Sequence, residues 1–268
     1  MSRLSTPLTI RSNGVTTPAA AVSLGPGGGR GYPVADQVYP SVTEILKAMS
    51  APALERWKIN LAAEFAVQDH IRALANDDKL AAKKLIAGEP YVFRAGGAAD
   101  LGTRVHAAVE AEVTGIRYEL DEEVKPFVAT WAKAVKAHKI TFVATERTCF
   151  SHAESYAGTF DAIVKIGHSE PAVLDYKTGK RVWGDVALQL AAYANAEGLL
   201  ESADGRDLGP MPACRTDKGL VMLLHAEKYE LIPVDLVSGW HAFKACRSIW
   251  NWQKVTSKRA LGRALVAK

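Results

Sequence analysis

The chain has 268 residues, of which 48% are hydrophobic and 23% charged, which is close to the usage of ordinary soluble domains. This length suffices for one good-sized core plus an appended helical portion, or for two small domains. A net charge of +4 is too small to identify a nucleic-acid partner. No run of about 18 apolar residues occurs, so we expect a packed globular protein without a membrane span or membrane partner.

The three cysteines are widely separated and form no CxxC pair. Cys149, Cys214 and Cys246 therefore support neither a disulfide framework nor a cysteine zinc site. The N-terminal residues lack the apolar stretch of a secretory signal. A cytoplasmic location is the resulting expectation.

Residues 1–38 predict a flexible N-terminal arm. They contain the glycine-rich tract Gly25–Gly31 and little apolar periodicity, so burial offers little to offset the backbone entropy. Ser41 then begins a helix, because Glu44 follows three residues later in a capping-box pattern. Helical periodicity continues from there, and we assign residues 39–138 to a helical portion.

Four further helices are predicted in that portion, with boundaries set by capping residues, prolines and glycines. They begin near Pro52, near Asp77 and Asp78, near Ala98 and at Glu119, and the second and third end at Gly88 and Gly115. Pro126 predicts a kink or a late start in the last of them.

The pattern changes at Ile140, where β-branched and aromatic residues alternate. ITFVATERTCF, YAGTFDAIVKIG and PAVLDYKTGK predict three strands, and the continuous apolar run in the third predicts a central position. A helix capped by Asp185, one long strand or a hairpin, and a helix capped by Ser238 follow. The predicted fold class is α/β (α+β), with a central mixed β-sheet flanked by helices at 139–253 and a helical N-terminal portion.

Two aspartates and a lysine form the most informative cluster. Asp161 lies in one predicted strand and Asp175 in the next, so neighbouring strands can bring their carboxylates together. Asp175 and Lys177 are two apart and point to the same face, whereas Tyr176 points away and leaves its carbonyl beside them. Two acids beside a lysine suit a divalent cation with oxygen ligands. The alternative is an edge salt bridge between Asp175 and Lys177.

Other residues of interest have ordinary structural alternatives. Gln189 and Tyr193 share a helix face and could reach the cluster, or Tyr193 could simply pack in the core. His106 and Glu110 also share a helix face. A lone helical histidine is usually structural, but both residues could ligate a metal or support its ligands. Glu146, on the predicted strand before that of Asp161, could approach the cluster, but we favour its interpretation as a sheet-edge charge.

These residues, taken in order, resemble the RecB-like branch of the PD-(D/E)xK nucleases. That branch includes RecB nuclease domains, exonucleases associated with CRISPR systems and many phage exonucleases. The resemblance covers roughly residues 100–195 and rests on Gly102-x-x-x-His106, GTFDAI with Asp161, LDYKTGK with Asp175 and Lys177, and Gln189-x-x-x-Tyr193. Each motif is weak alone, but together and in this order they are specific.

The resemblance implies a restriction-endonuclease-like core that binds Mg²⁺ or Mn²⁺. Asp161, Asp175 and the backbone carbonyl of Tyr176 would be metal ligands, and His106 would be the additional ligand typical of this branch. Phe160 replaces the proline of the motif's name, a common variation. The four cysteines that hold an iron–sulfur cluster in many CRISPR-associated members are missing, so no such cluster is predicted.

The resemblance also implies catalytic roles and a partner. Lys177 would position the attacking water, while Gln189 and Tyr193 would orient the site and the substrate. The substrate would be DNA, single-stranded or at duplex ends, and a recombination or single-strand-binding protein is a further partner class to consider. The activity implied is that of an exonuclease in recombination, repair or replication, in a host cytoplasm if the chain is phage-encoded.

Several basic residues are candidates for contacts with DNA. These are Arg94, Arg104, Lys180 and Arg181. Residues 254–268 form a basic tail that either contacts phosphates or is merely solvated. Alternatives to an exonuclease are a junction- or flap-cutting endonuclease, an inactive DNA-binding scaffold with a nuclease fold, and a metal-dependent hydrolase of free nucleotides.

Overall fold

The computed structural model describes residues 19–24, 29–49, 52–202, 204–206 and 208–263, without the side chains of 52–54, 57 and 88–99. The chain forms two compact units. The larger comprises Met1–Met49 and His106–Lys268, and the smaller comprises Ser50–Val105. The fold is mixed α/β, with a seven-stranded mixed sheet flanked by helices, in agreement with the predicted fold class.

The regular elements are numbered in chain order. The strands are β1 (Val22–Ser23), β2 (Arg30–Val34), β3 (Gln37–Pro40), β4 (Ile140–Ser151), β5 (Tyr156–Ile166), β6 (Ala172–Lys177), β7 (Gly198–Leu200), β8 (Leu208–Pro210), β9 (Lys218–Leu224) and β10 (Tyr229–Asp235). The helices are α1 (Val42–Leu46), α2 (Pro52–Ala66), α3 (Asp69–Asp77), α4 (Lys79–Thr114), α5 (Lys125–Ala137), α6 (Val186–Ala194) and α7 (Leu236–Asn251). No helix in the described ranges is long and apolar enough to cross a membrane.

The large sheet has the strand order β10-β9-β6-β5-β4-β7-β8. Strand β6 is an inner strand, antiparallel to β5 and parallel to β9. Its first five residues are buried, as expected for a strand covered on both faces. The predicted central position of this strand is confirmed.

Helices cover both faces of this sheet. On one face, α1, α6 and α7 share a hydrophobic cluster with Val173 of β6 and Val221 of β9. Met222, the next residue along β9, is buried but lies outside that cluster, as strand alternation requires. Helix α5 packs against β4, β9 and β10. It begins at Lys125, with Pro126 in its first turn, so the predicted late start is confirmed.

The N-terminal segment differs from the predicted flexible arm in its described part. Strands β1, β2 and β3 form a three-stranded antiparallel sheet. Tyr32, Val34 and Tyr39 bury their side chains with Phe150 of β4 and Leu200 of β7. This apolar burial offsets the backbone entropy that the glycine-rich composition led us to regard as unrecovered. Residues 1–18 and 25–28 of the predicted arm lie outside the described residues.

The smaller unit contains α2, α3 and the first part of α4. Asp78 caps α4 as predicted, since its carboxylate accepts hydrogen bonds from the backbone N–H groups of Leu80 and Ala81. The predicted end at Gly88 is wrong, because the backbone stays helical as far as Thr114. A glycine stop is only a local preference, and good helix formers on both sides can outweigh it. Gly115, with a φ of 73°, does end the helix as predicted.

Three smaller predictions also need correction. The helix predicted from Asp185 is shorter, because Gly198–Leu200 forms strand β7 and pairs with β4. Asp185 precedes α6 without a side-chain capping hydrogen bond. Helix α7 is capped by Asp235 rather than Ser238, whose hydroxyl instead donates to the Asp235 carboxylate at 2.6 Å.

Candidate functional site

Asp161 and Asp175 lie side by side on the neighbouring inner strands β5 and β6. Ala162 pairs with Leu174, so the two aspartates occupy the next position of the same antiparallel register. The backbone N–H of Tyr176 donates to Oδ2 of Asp161 at 2.7 Å. This hydrogen bond fixes the Asp161 carboxylate against β6, so the two acids lie on neighbouring strands as predicted.

Asp175 and Lys177 form a close ion pair between Oδ2 and Nζ. Asp175 follows Val173 on the face covered by α6 and α7, and its side chain is only 3% exposed, against 39% for Lys177. Burial and the Asp161 carboxylate raise the pKa of Asp175, and Lys177 lowers it; the net result is a pKa of about 6. The edge salt bridge considered above does not apply, because β6 is an inner strand and Asp175 is buried in its centre.

His106 on α4 sits between two acceptors. Its Nε2 lies 2.8 Å from the backbone carbonyl of Tyr176, and its Nδ1 lies 3.6 Å from Oδ2 of Asp161. A neutral imidazole has one N–H donor and one lone pair, so it can satisfy only one of these oxygens. An imidazolium, or a cation shared by the imidazole and the oxygens, satisfies both.

Glu146 joins this group from β4, which corrects our interpretation of it as a sheet-edge charge. Strand β4 lies between β5 and β7, and its pairing places Glu146 opposite Asp161, between the pairs Thr145–Ala162 and Arg147–Phe160. Donor atoms of His106, Glu146 and Asp161 all lie within 4.8 Å of one another. The sequence could have indicated this position only if the β4–β5 register had been known, because that register places Glu146 opposite Asp161.

The backbone at Glu146 is strained. Its φ is 48°, in the left-handed region that disfavours residues with a side chain. Burial, together with the charges of Asp161, Glu110 and Asp175, raises the pKa of its carboxyl to about 9. Backbone strain and charge repulsion at a half-buried acid both destabilise the fold, and such features concentrate at functional sites.

Glu110 adds a further carboxyl one helical turn after His106. It is half-buried, and burial raises its pKa. Four acids are therefore close enough for their charges to interact, and one of them is paired with Lys177. They are Glu110, Glu146, Asp161 and Asp175. A bound divalent cation would relieve their mutual repulsion.

The donor group fits a single metal ion. Ligand distances of roughly 2.0–2.6 Å place two donors of one ion at most about 5 Å apart, and the separations among His106, Glu146 and Asp161 stay within that limit at 4.8 Å. The three cysteines lie elsewhere and are free. The Cys149 thiol donates to the carbonyl of Gly158 at 3.2 Å, and burial raises the pKa of that thiol.

Gln189 and Tyr193 form a hydrogen-bonded pair on α6, with Gln189 Nε2 donating to the Tyr193 hydroxyl at 3.2 Å. Tyr193 is buried, and burial raises the pKa of its hydroxyl well above the usual value. Its ring packs against Gly158 of β5, where an added Cβ would approach Cε1 of Tyr193 to 2.8 Å. Tyr193 is therefore placed to hold Gln189 in position and is too buried to contact a substrate.

The predicted DNA-contacting residues fall into two groups. Arg104 pairs with Asp100 at 2.9 Å in the smaller unit, and the side chain of Arg94 lies outside the described residues. Lys180 and Arg181 are exposed on the loop between β6 and α6, directly after Lys177. Arg181 lies over the ring of Trp183, with 3.6 Å between its guanidinium carbon and the ring centroid.

Comparison with known proteins adds no family assignment. The chain matches no protein-family model and no curated protein. The geometry of the site and the sequence motifs are therefore the basis for inferring a function.

Proposed function

We propose that this protein is a divalent-metal-dependent DNA nuclease that hydrolyses phosphodiester bonds, most simply as an exonuclease. The observation that supports the proposal best is the convergence of His106, Glu146 and Asp161 on one point beside the buried Asp175–Lys177 pair. Those three residues come from a helix and two different strands, so chain proximity alone does not explain the convergence.

Mg²⁺ and Mn²⁺ both suit the carboxylate oxygens, and the imidazole nitrogen of His106 shifts the preference toward Mn²⁺, the softer ion. Asp161, Glu146 and His106 would hold the ion, with Asp175 and the Tyr176 carbonyl adjacent. When bound there, such an ion supplies Lewis-acid activation of water and of a phosphoryl oxygen.

The protein groups around this point have separate tasks. Asp175 fixes the Lys177 ammonium by the ion pair, leaving a partly exposed cation to orient a water molecule and to stabilise charge on the attacked phosphate. Gln189, held by Tyr193, offers an amide for a polar contact with the substrate or the water. None of these groups recognises a particular base, so we expect cleavage without sequence preference.

The preference for DNA ends comes from the family resemblance rather than from any single residue. Incubation of labelled linear and covalently closed circular DNA with Mn²⁺ tests it directly. An exonuclease degrades the linear molecule and leaves the closed circle intact. Cutting of the circle would replace the exonuclease with an endonuclease, and turnover of free nucleotides alone would remove DNA as the substrate.

Substitution of the site tests the nuclease proposal itself. Asp175→Asn preserves the side-chain shape but removes the buried charge that holds Lys177. The matched control is Asp204→Asn, which alters an exposed aspartate on the loop between β7 and β8. We expect Mn²⁺-dependent cleavage to disappear in the first variant and to persist in the second; equal activity in both would remove this site from the reaction.

A further inference from the structure

The loop between β6 and α6, residues 178–185, presents two cations and a large aromatic ring to solvent. Lys180 and Arg181 are exposed, and the side chain of Trp183 is 54% exposed. Val182, between them, packs against the hydrophobic cluster beneath α6 and α7. The loop is therefore anchored through Val182, while Arg181 and Trp183 stand out on its other side.

This arrangement is held in place. The guanidinium of Arg181 lies 3.6 Å from the centre of the Trp183 ring, a cation–π contact. The backbone carbonyl of Trp183 accepts a hydrogen bond from Val186 N–H at 3.2 Å, so the tryptophan is fixed to the first turn of α6. Neither Lys180 nor Arg181 has an acidic partner within the described ranges.

We propose that this loop binds single-stranded DNA, with a nucleobase stacked on Trp183 and with Lys180 and Arg181 contacting the backbone phosphates. The inference deepens the proposed nuclease function and depends on it. Unpaired cations beside an exposed aromatic ring are the two components of a surface that binds single strands without sequence preference. An exposed indole stabilises the protein little by itself, whereas a base stacked on it would remove both surfaces from water.

The position of the loop favours a strand that runs through the candidate site. Trp183 follows Lys177 by six residues, a reach of at most about 20 Å, or a few nucleotides. Arg181 covers one face of the indole, and the ring is 54% exposed, so we expect a base to stack on the other face while the exposed guanidinium contacts a phosphate. Paired bases already stack on one another and offer no free face, so we expect single strands to bind more tightly than blunt duplexes.

Binding without cleavage tests this inference separately from catalysis. The full-length protein is titrated into a labelled oligothymidylate in Ca²⁺ instead of Mg²⁺ or Mn²⁺, and fluorescence anisotropy gives the dissociation constant. We compare wild type with Trp183→Ala, Trp183→Phe and a matched control, Trp252→Ala. Trp252 is 56% exposed, nearly equal to Trp183, but follows α7 at Asn251.

We expect Trp183→Ala to weaken binding by at least about fivefold, Trp183→Phe to retain most of the affinity, and Trp252→Ala to match wild type. An oligonucleotide of abasic sites has no base to stack on Trp183. Wild type should bind it as weakly as Trp183→Ala binds the normal strand. Trp183→Ala should bind the abasic and the normal strand with equal affinity. Unchanged affinity in Trp183→Ala, or equal losses in both alanine variants, would overturn the inference.

The two proposals fail in different ways. If wild type binds no single strand in Ca²⁺ but still degrades DNA with Mn²⁺, the loop assignment is wrong and the nuclease stands. If the strand binds through Trp183 but no metal ion supports cleavage, the nuclease proposal is wrong and the loop remains a DNA-binding element.

Discussion

The buried carboxyl cluster and the exposed loop that follows it differ in almost every physical property, although they are adjacent in the chain. Asp175 is 3% exposed and its pKa is raised, whereas Trp183, eight residues later, is 54% exposed. Burial concentrates electrostatic effects, because water screens buried charges poorly. Exposure keeps cations and rings available to a long, flexible ligand. If the carboxyl cluster catalyses cleavage and the loop binds the strand, as proposed, mutations in the two regions should change different quantities.

The largest effect of a mutation on cleavage is expected in the carboxyl cluster. Asp161→Asn should lower Mn²⁺-dependent cleavage by about 10³-fold or more, because it removes a proposed metal ligand from the point where the carboxylates converge. Single-turnover rates on linear DNA measure this effect, and strand affinity in Ca²⁺ serves as the control. A variant that lost affinity in proportion to rate would contradict the separation of chemistry from binding.

Glu146 allows a sharper version of the same test. Glu146→Gly removes a carboxylate from the candidate metal-binding group of His106, Glu146 and Asp161. It also relieves the backbone strain at a φ of 48°. We expect Mn²⁺ affinity, measured by calorimetry, to fall by about tenfold or more, while the melting temperature in EDTA does not fall.

The matched control for strain is Ala35→Gly. Ala35 is an exposed turn residue with a φ of 51°, so it shares the backbone conformation but not the carboxylate. Its Mn²⁺ affinity should equal that of wild type. A loss of melting temperature in Glu146→Gly would instead give Glu146 a structural role.

The raised pKa values predict how stability depends on pH. The pKa of Glu146 rises from 4.5 unfolded to about 9 folded, so the native state binds more protons between these values. Stability is then greatest below the unfolded pKa and is lost as pH rises toward the folded value. Urea unfolding of the metal-free protein should give a lower free energy of unfolding at pH 8 than at pH 5.

Two changes should flatten this dependence. Glu146→Gln removes the titrating group, and saturating Mn²⁺ offsets the repulsion that proton loss creates. If the free energy of unfolding changes equally with pH in wild type and in Glu146→Gln, other groups dominate the pH dependence.

The smallest effect is expected at the edge of the exposed loop. Lys180→Ala should weaken binding of single strands by a few fold and lower the slope of log affinity against log salt by about one, as expected for loss of one phosphate contact. The cleavage rate of bound DNA should stay within about twofold of wild type. A large loss of that rate would place Lys180 in the chemistry.

Local patterns predicted most of the elements around the site. The predicted N-cap at Ser41 appears as a hydrogen bond from Glu44 N–H to the Ser41 hydroxyl at 3.1 Å. The reciprocal bond of a capping box does not form, because Ser41 N–H donates to the Arg30 carbonyl. The three strands from Ile140 onward lie where alternation predicted them. These features depend on contacts between residues a few positions apart, or on burial that repeats with the strand period. The ordered strands within the predicted arm were missed because their burial partners, Phe150 and Leu200, are more than 100 residues away.

The sequence by itself determined that Asp175 and Lys177 share a face of a central strand, because side chains in a strand alternate. It also placed Asp161 on the neighbouring strand of a hairpin. Only the tertiary structure decided that Glu146 faces Asp161, that His106 lies between two acceptors and that Tyr193 is buried behind Gln189. The first two depend on contacts between residues 15 to 70 positions apart, made by sheet register and helix packing. The burial of Tyr193 depends on the packing of α6 against β5. No local pattern encodes either.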